Sequence, residues 1–256
     1  MKKTLVFLLL VCISLFTLTG CGKGVSTKKL ATEEEIEDFF DDKSEALADM
    51  LEDEVSLSFT VSVNEKREDG ADSYSTKTNV KGRLSADPEE IEDASLYVEA
   101  TLKGKGVEYT SEGKVKSSSK GTTEITVVGG KIYTYIKSEN KTGESKTSFE
   151  SKTKGDFEDS IETLPVDMIY GYLENIDELA AMLSGTQIYI EDDKCLIVIS
   201  STDSHTEIVL EFDGDELLSV DIFSKTYERE IKASIEIEED IKKVTKPSDA
   251  SSYKSE

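Results

Sequence analysis

The sequence predicts an α+β fold in which an antiparallel sheet of about eleven strands packs on an N-terminal helix and a central helical insertion. Three observations predict it. Residues 55–64 alternate apolar and polar side chains without a break, the period of a strand with one buried face. Residues 32–51 and 157–183 instead place apolar side chains at helical spacing, the mark of a helix with one covered stripe. Short alternating runs punctuated by Gly, Asp and Pro occupy most of the remainder, as strands joined by tight turns would.

The elements follow in chain order. Thr32-Glu33-Glu34-Glu35 matches a capping box, in which the Thr hydroxyl and a Glu carboxylate satisfy unpaired amides at a helix start. Ile36, Phe39, Phe40, Leu47, Met50 and Leu51 then form one apolar stripe. Val55, Leu57, Phe59, Val61 and Val63 alternate with Ser56, Ser58, Thr60, Ser62 and Asn64 as the first strand. A charged turn is expected at 65–72, a Ser/Thr-rich strand at 74–84, and a break at Asp87-Pro88. Strands at 95–102 and 107–115 flank Gly104 and Gly106, and Gly129-Gly130 joins strands 122–128 and 131–137 as a two-residue hairpin. A polar strand is expected at 146–152. Phe157, Ile161 and Leu164 start the helical insertion; Pro165 interrupts it and Gly185 ends it. Strands at 187–191, 194–200, 207–213, 217–224 and 231–237 complete the sheet, and the polar tail is expected to fray.

The N-terminus has the layout of an export signal. Lys2 and Lys3 precede an uncharged apolar run from Thr4 to Leu18, which is shorter than the roughly 20 residues of a spanning helix. Leu18-Thr19-Gly20-Cys21 looks like a bacterial lipobox. That resemblance implies removal of residues 1–20 and a diacylglyceryl thioether on Cys21. Residues 21–31 then read as a flexible tether, 32–245 as one domain and 246–256 as a polar tail. Loss of Lys2 and Lys3 leaves 28 Lys+Arg against 54 Asp+Glu, a net charge of −26. Anionic headgroups repel such a body, so acyl chains must hold it to the membrane. The same charge excludes nucleic acid as a partner. Cys12 leaves with the signal and Cys21 is alkylated, so Cys195 remains alone in an apolar strand and reads as a small core side chain.

At the level of the whole domain, the order of elements resembles the LolA/LolB-like and LppX-like lipoproteins and is similar to Gram-positive cell-surface lipoproteins. The segments that carry the resemblance are the capped helix at 32–51, the strand at 55–63, the helical block at 157–183, the run from Phe212 to Ile222, and the close Lys246-Pro247-Ser248-Asp249-Ala250. The resemblance implies a curved half-barrel sheet around helices, with an apolar cavity between them. Leu57, Phe59 and Val61 on the first strand and Val98 on the third would line that cavity. Leu210, Phe212, Val220 and Ile222 would line it from the C-terminal strands. The same residues also serve as ordinary core.

Catalytic and metal chemistry find little support. His205 is the one imidazole, in Ser201-Thr202-Asp203-Ser204-His205. A turn spreads those side chains apart, whereas a working nucleophile needs a base within hydrogen-bond reach. Acidic runs such as Glu191-Asp192-Asp193 lack the spacing of a calcium loop. The expectation is a non-enzymatic protein with no catalytic residue, metal or cofactor, anchored at the outer face of the bacterial cell membrane. It would bind a lipid or other apolar ligand between sheet and helices. The alternative is an envelope interaction or sensing module with a packed core, working through its acidic surface on a cell-envelope protein.

Overall fold

The computed structural model describes residues 29–32, 34–36, 38–39, 43, 55–86, 94–111, 113–156, 186–214, 216–237 and 243–255. The expected signal segment, Cys21 and the expected helical insertion at 157–183 lie outside the described residues.

Among the described residues, twelve strands form one open sheet. The N-terminal half is a meander of β1 (Val55–Asp69), β2 (Asp72–Ala86), β3 (Ser95–Thr110), β4 (Gly113–Val128), β5 (Lys131–Thr142) and β6 (Ser145–Asp156). The C-terminal half is a second meander of β7 (Thr186–Glu191), β8 (Lys194–Ser200), β9 (His205–Asp213), β10 (Glu216–Lys225) and β11 (Arg229–Ile237). The order across the sheet is β12-β6-β5-β4-β3-β2-β1-β11-β10-β9-β8-β7, where β12 is the short Lys254–Ser255. The two meanders therefore meet in the middle, where β11 pairs antiparallel with β1 from Leu57↔Ile237 to Glu65↔Arg229.

This corrects the expected α+β half-barrel. Among the described residues 77 % lie in strands and 5 % are helical, and the sheet is not packed on an N-terminal helix and a helical insertion. The sheet has twelve strands and is open, and its last pair, β12 with β6, is parallel. The strands are also longer than the apolar alternation suggests, with 15 or 16 residues in each of β1 to β4. Segments expected as turns or loops, including 65–69 and 116–121, continue the ladder. Cross-strand pairs explain this. Polar strands gain from opposed hydroxyls and charges as well as from apolar contact. Lys146 and Glu139 stand 3.2 Å apart, and Arg229 and Glu65 3.0 Å apart, on adjacent strands.

Two local expectations are met. Thr32 and Glu35 form the reciprocal capping box: the Thr32 amide donates to Glu35 Oε2 at 2.8 Å, and the Glu35 amide donates to Thr32 Oγ1 at 3.2 Å. The amide bond from Thr32, aided by the Lys29 ammonium 2.9 Å away, lowers the Glu35 carboxyl to about 2. The β4–β5 hairpin turns on Gly129 and Gly130 at φ 57° and 65°. Both central residues of this turn type need positive φ, which glycine adopts without a steric penalty.

Alternation gives the sheet one apolar and one polar face. The apolar face is best packed in the C-terminal half, where Leu57, Cys195, Leu210, Phe212, Val220, Ile222 and Ile235 share a buried cluster. Phe39 joins it edge-on to Phe212, with ring centroids 5.6 Å apart. Lys43, only 6 % exposed, lies 5.2 Å and 5.0 Å from the Phe39 and Phe212 ring centres. Its ammonium donates to the Gly214 carbonyl and lies 3.6 Å from Asp193. This is a contact of two side chains, not a helical layer.

Both sheet edges meet terminal chain. The Ala31 amide donates to the Ile188 carbonyl of β7 at 2.8 Å. At the other edge the tail, expected to fray, is seated. Tyr253 is buried edge-on against Tyr133 at 5.6 Å, and Lys152 of β6 pairs with Asp249.

Candidate functional site

The polar face of the sheet carries a depression. A trough of about 710 Å3 crosses six strands, from β3 through β2, β1, β11 and β10 to β9. Register explains its composition. One row of directly opposed residues runs Thr101, Asn79, Ser62, Lys232, Phe223, Glu207. The next runs Glu99, Lys81, Thr60, Ser234, Asp221, Val209. All twelve line the trough. The intervening Val61, Val80, Ile222 and Ala233 belong to the apolar face by alternation and meet the trough through their main chain.

Small side chains occupy the middle of the trough and larger ones its two sides. Thr60, Ser62 and Ser234 lie on the central strands β1 and β11. Ser62 Oγ donates to Asn79 Oδ1 at 3.2 Å. On the β2–β3 side, Lys81 and Glu99 form an ion pair at 3.0 Å. Glu99 also accepts the Tyr97 hydroxyl at 3.2 Å, and the Arg83 guanidinium lies 5.2 Å from the Tyr97 ring centre. Burial, and then the negative charge of Glu99, push the Tyr97 phenol up to about 12. On the β9–β10 side, the Lys232 ammonium lies 5.6 Å from the Phe223 ring centre. Asp221 is exposed and has no ion pair among the described residues. Lysine stems, threonine methyls, the Phe223 ring and Val209 supply carbon surface between these polar tips.

Glu207 stands at the trough's β9 end and is backed by the buried His205, which in turn meets the exposed Ser200. Its Oε1 is 2.6 Å from His205 Nε2, and His205 Nδ1 is 3.1 Å from Ser200 Oγ. His205 is 5 % exposed and meets the Phe223 ring edge-on at 6.5 Å. His205 lies on β9 and not in the turn expected from the sequence. A signal for this was present. In a strand His205 and Glu207 share a face at i, i+2, and the four-residue link 201–204 sets Ser200 opposite His205. Within that link, Ser201 and Ser204 hydroxyls lie 2.6 Å apart and the Asp203 amide donates to Ser201 Oγ at 3.3 Å, so these groups serve the turn.

The residues expected to line an apolar cavity share the opposite face. Leu57, Leu210, Phe212, Val220 and Ile222 are buried in the apolar cluster, and Phe59 and Val61 pack against it half-buried. Val98 is half-buried two strands from Phe59, across Gly82. The structure thus brings seven of the eight into one cluster. Cys195 lies in the same cluster, and burial pushes its thiol up to about 11. Among the described residues no group of three or more His, Cys, Asp or Glu side chains is placed to hold a metal ion. No protein-family model and no curated protein matches the chain.

Proposed function

We propose that the chain is a membrane-anchored extracytoplasmic binding protein, held at the outer face of the bacterial cell membrane by acyl chains on Cys21. Its ligand is a small polar molecule captured on the polar face of the sheet. The trough of about 710 Å3 is the observation that carries this reading. Its volume falls within the roughly 300–1,000 Å3 of small-molecule sites. Its polar tips stand over carbon surface, which suits a ligand with both kinds of surface. An acyl chain there would strip water from Lys81, Glu99, Glu207, Asp221 and Lys232 without repaying the loss.

Native mass spectrometry of the full acylated chain, purified from its own membrane, tests the reading. The expected result is a co-purifying polar molecule that is lost in Ser234→Trp, which fills the trough's centre. Retention of the same molecule by that variant, or a bound lipid insensitive to it, refutes the trough as the site.

A second reading, an envelope interaction module, is favoured by one observation. Leu102, Ile136 and Phe149 are 39 %, 38 % and 55 % exposed on the apolar face of β3, β5 and β6. They surround Gly121, which has no side chain to fill the space between them. Changing these three residues to Ser would abolish capture of an envelope protein under that reading and leave ligand content in the trough unchanged.

A further inference from the structure

Resting on the trough as the binding site, we propose that its ligand is a short, neutral oligosaccharide. Charge narrows the class first. Three carboxylates (Glu99, Glu207, Asp221) face two ammonium groups (Lys81, Lys232) in the trough, on a chain with a formal charge of −24. Phosphates, sulfates and other anions are repelled, both locally and at long range. Lys81 is already neutralised by Glu99 at 3.0 Å, and Glu207 is held by His205 at 2.6 Å. Lys232 lies 3.6 Å from Glu230 on its own strand, which leaves for a ligand one exposed carboxylate without an ion pair among the described residues, Asp221, together with hydroxyls and an amide.

Hydrogen-bond chemistry narrows it further. Along the two rows the central side chains are Ser, Thr and Asn, each able both to donate and to accept. A vicinal diol presents the same dual character, and a carboxylate accepts from two adjacent hydroxyls in a charge-assisted pair. Asp221 is placed for that role, directly opposite Ser234 on the next strand. The Phe223 ring is two residues along the same strand and on the same face, edge-on to His205 and with Lys232 above one face. A sugar ring carries its C–H groups on one face and its hydroxyls at the rim. Phe223 and Val209 receive the former, and Asp221, Asn79 and Thr60 the latter. An extended trough across six strands admits a chain of sugar units, not a single ring.

Calorimetric titration of the full acylated chain tests this, in a zwitterionic detergent whose headgroup carries no sugar. The probes are oligomers of N-acetylglucosamine, glucose and galactose, with spermine and myristate as contrasts. The expected result is saturable binding of at least one oligomer, unchanged by added sodium chloride because the ligand is neutral. Asp221→Asn and Phe223→Ala should each weaken it about tenfold or more, with circular dichroism unchanged. If Phe223→Ala fails to fold, Asp221→Asn decides alone, because that side chain is exposed. Failure of every oligomer to bind, or binding indifferent to Asp221→Asn, overturns the proposal. Salt-sensitive binding of spermine alone, blocked by Ser234→Trp, overturns the oligosaccharide and keeps the trough. Myristate binding that survives Ser234→Trp overturns both.

Discussion

Gly82→Ala is the sharpest test of how the two faces of the central sheet are built. Gly82 lies opposite Phe59 on β1 and Val98 on β3, and the Phe59 ring covers the space its missing side chain leaves. A Cβ there would stand 2.3 Å from Phe59 Cζ, 2.7 Å from Cε1 and 2.6 Å from the Tyr97 carbonyl oxygen. To reach 3.4 Å, ring and methyl must part by about 1.1 Å. The ring can turn only against the neighbouring core, and the carbonyl belongs to a laddered strand. Overpacking of this kind costs about 1–3 kcal/mol. For a folded body of this size each kcal/mol moves Tm by roughly 2–4 °C, so the melting point should fall by about 2–12 °C. Removing the ring, in Phe59→Ala, also destabilises by opening a cavity, by about 2–3 kcal/mol because Phe59 is only half-buried. The decisive measurement is the double variant in urea denaturation followed by circular dichroism. With the ring gone, Gly82→Ala loses its worst clash, so the two changes together should cost at least about 0.5 kcal/mol less than their sum. A neutral Gly82→Ala, or strict additivity, would show that Phe59 does not rest on Gly82.

Three more outcomes follow from the same structure. Tyr97 is held protonated in the fold, from an ordinary 10.0 up to about 12. Its stabilising effect is therefore complete below pH 10 and lost as pH rises toward 12; Tyr97→Phe should flatten that alkaline loss of stability, read by urea midpoints across the window. Cys195 is buried with its thiol raised to about 11, so a thiol reagent should label it in the unfolded chain and leave it untouched in the native one at neutral pH; rapid native labelling would mean the β8 strand is open. Lys43→Ala removes the donor to the Gly214 carbonyl and the cation over Phe39 and Phe212. It should cost about 1–3 kcal/mol in the same denaturation assay, while Lys43→Gln, which keeps a donor, should recover part of that; equal stability of both variants with the parent would refute the contact.

Legibility in the sequence depended on the range of the interaction. The capping box at Thr32 and Glu35 is made within four residues, and the Gly129-Gly130 turn within two, so both could be read directly. The strands β9 to β11 were legible because each buries one face and so alternates, and β8 because Cys195 to Ile199 is an unbroken apolar run. The extensions of β1, β4 and β6 were not. Their Ser, Thr, Lys and Gly residues are ambiguous alone and become strand through partners such as Thr76, whose hydroxyl donates to Glu65 at 3.1 Å across β2 and β1. The trough was missed for a related reason. Apolar alternation marks the face of Leu57, Val220 and their neighbours, whereas the depression lies on the face of Ser62, Asn79, Asp221 and Lys232.

By itself the sequence determined the period of each strand, hence which residues share a face, together with the caps and tight turns, because these depend on side-chain spacing and local backbone sterics. Only the tertiary structure decided that β11 returns to pair with β1 and that twelve strands make one open sheet. It also decided that Glu207, Asp221 and Lys232 come to face Lys81 and Glu99 across a common trough. Those neighbours lie more than a hundred residues apart along the chain, and no local preference selects among the many registers in which alternating strands can pair. The register that buries Leu57, Phe59 and Val61 beside Ile237, Ile235 and Ala233 is chosen by packing, and it carries the polar face into place with it.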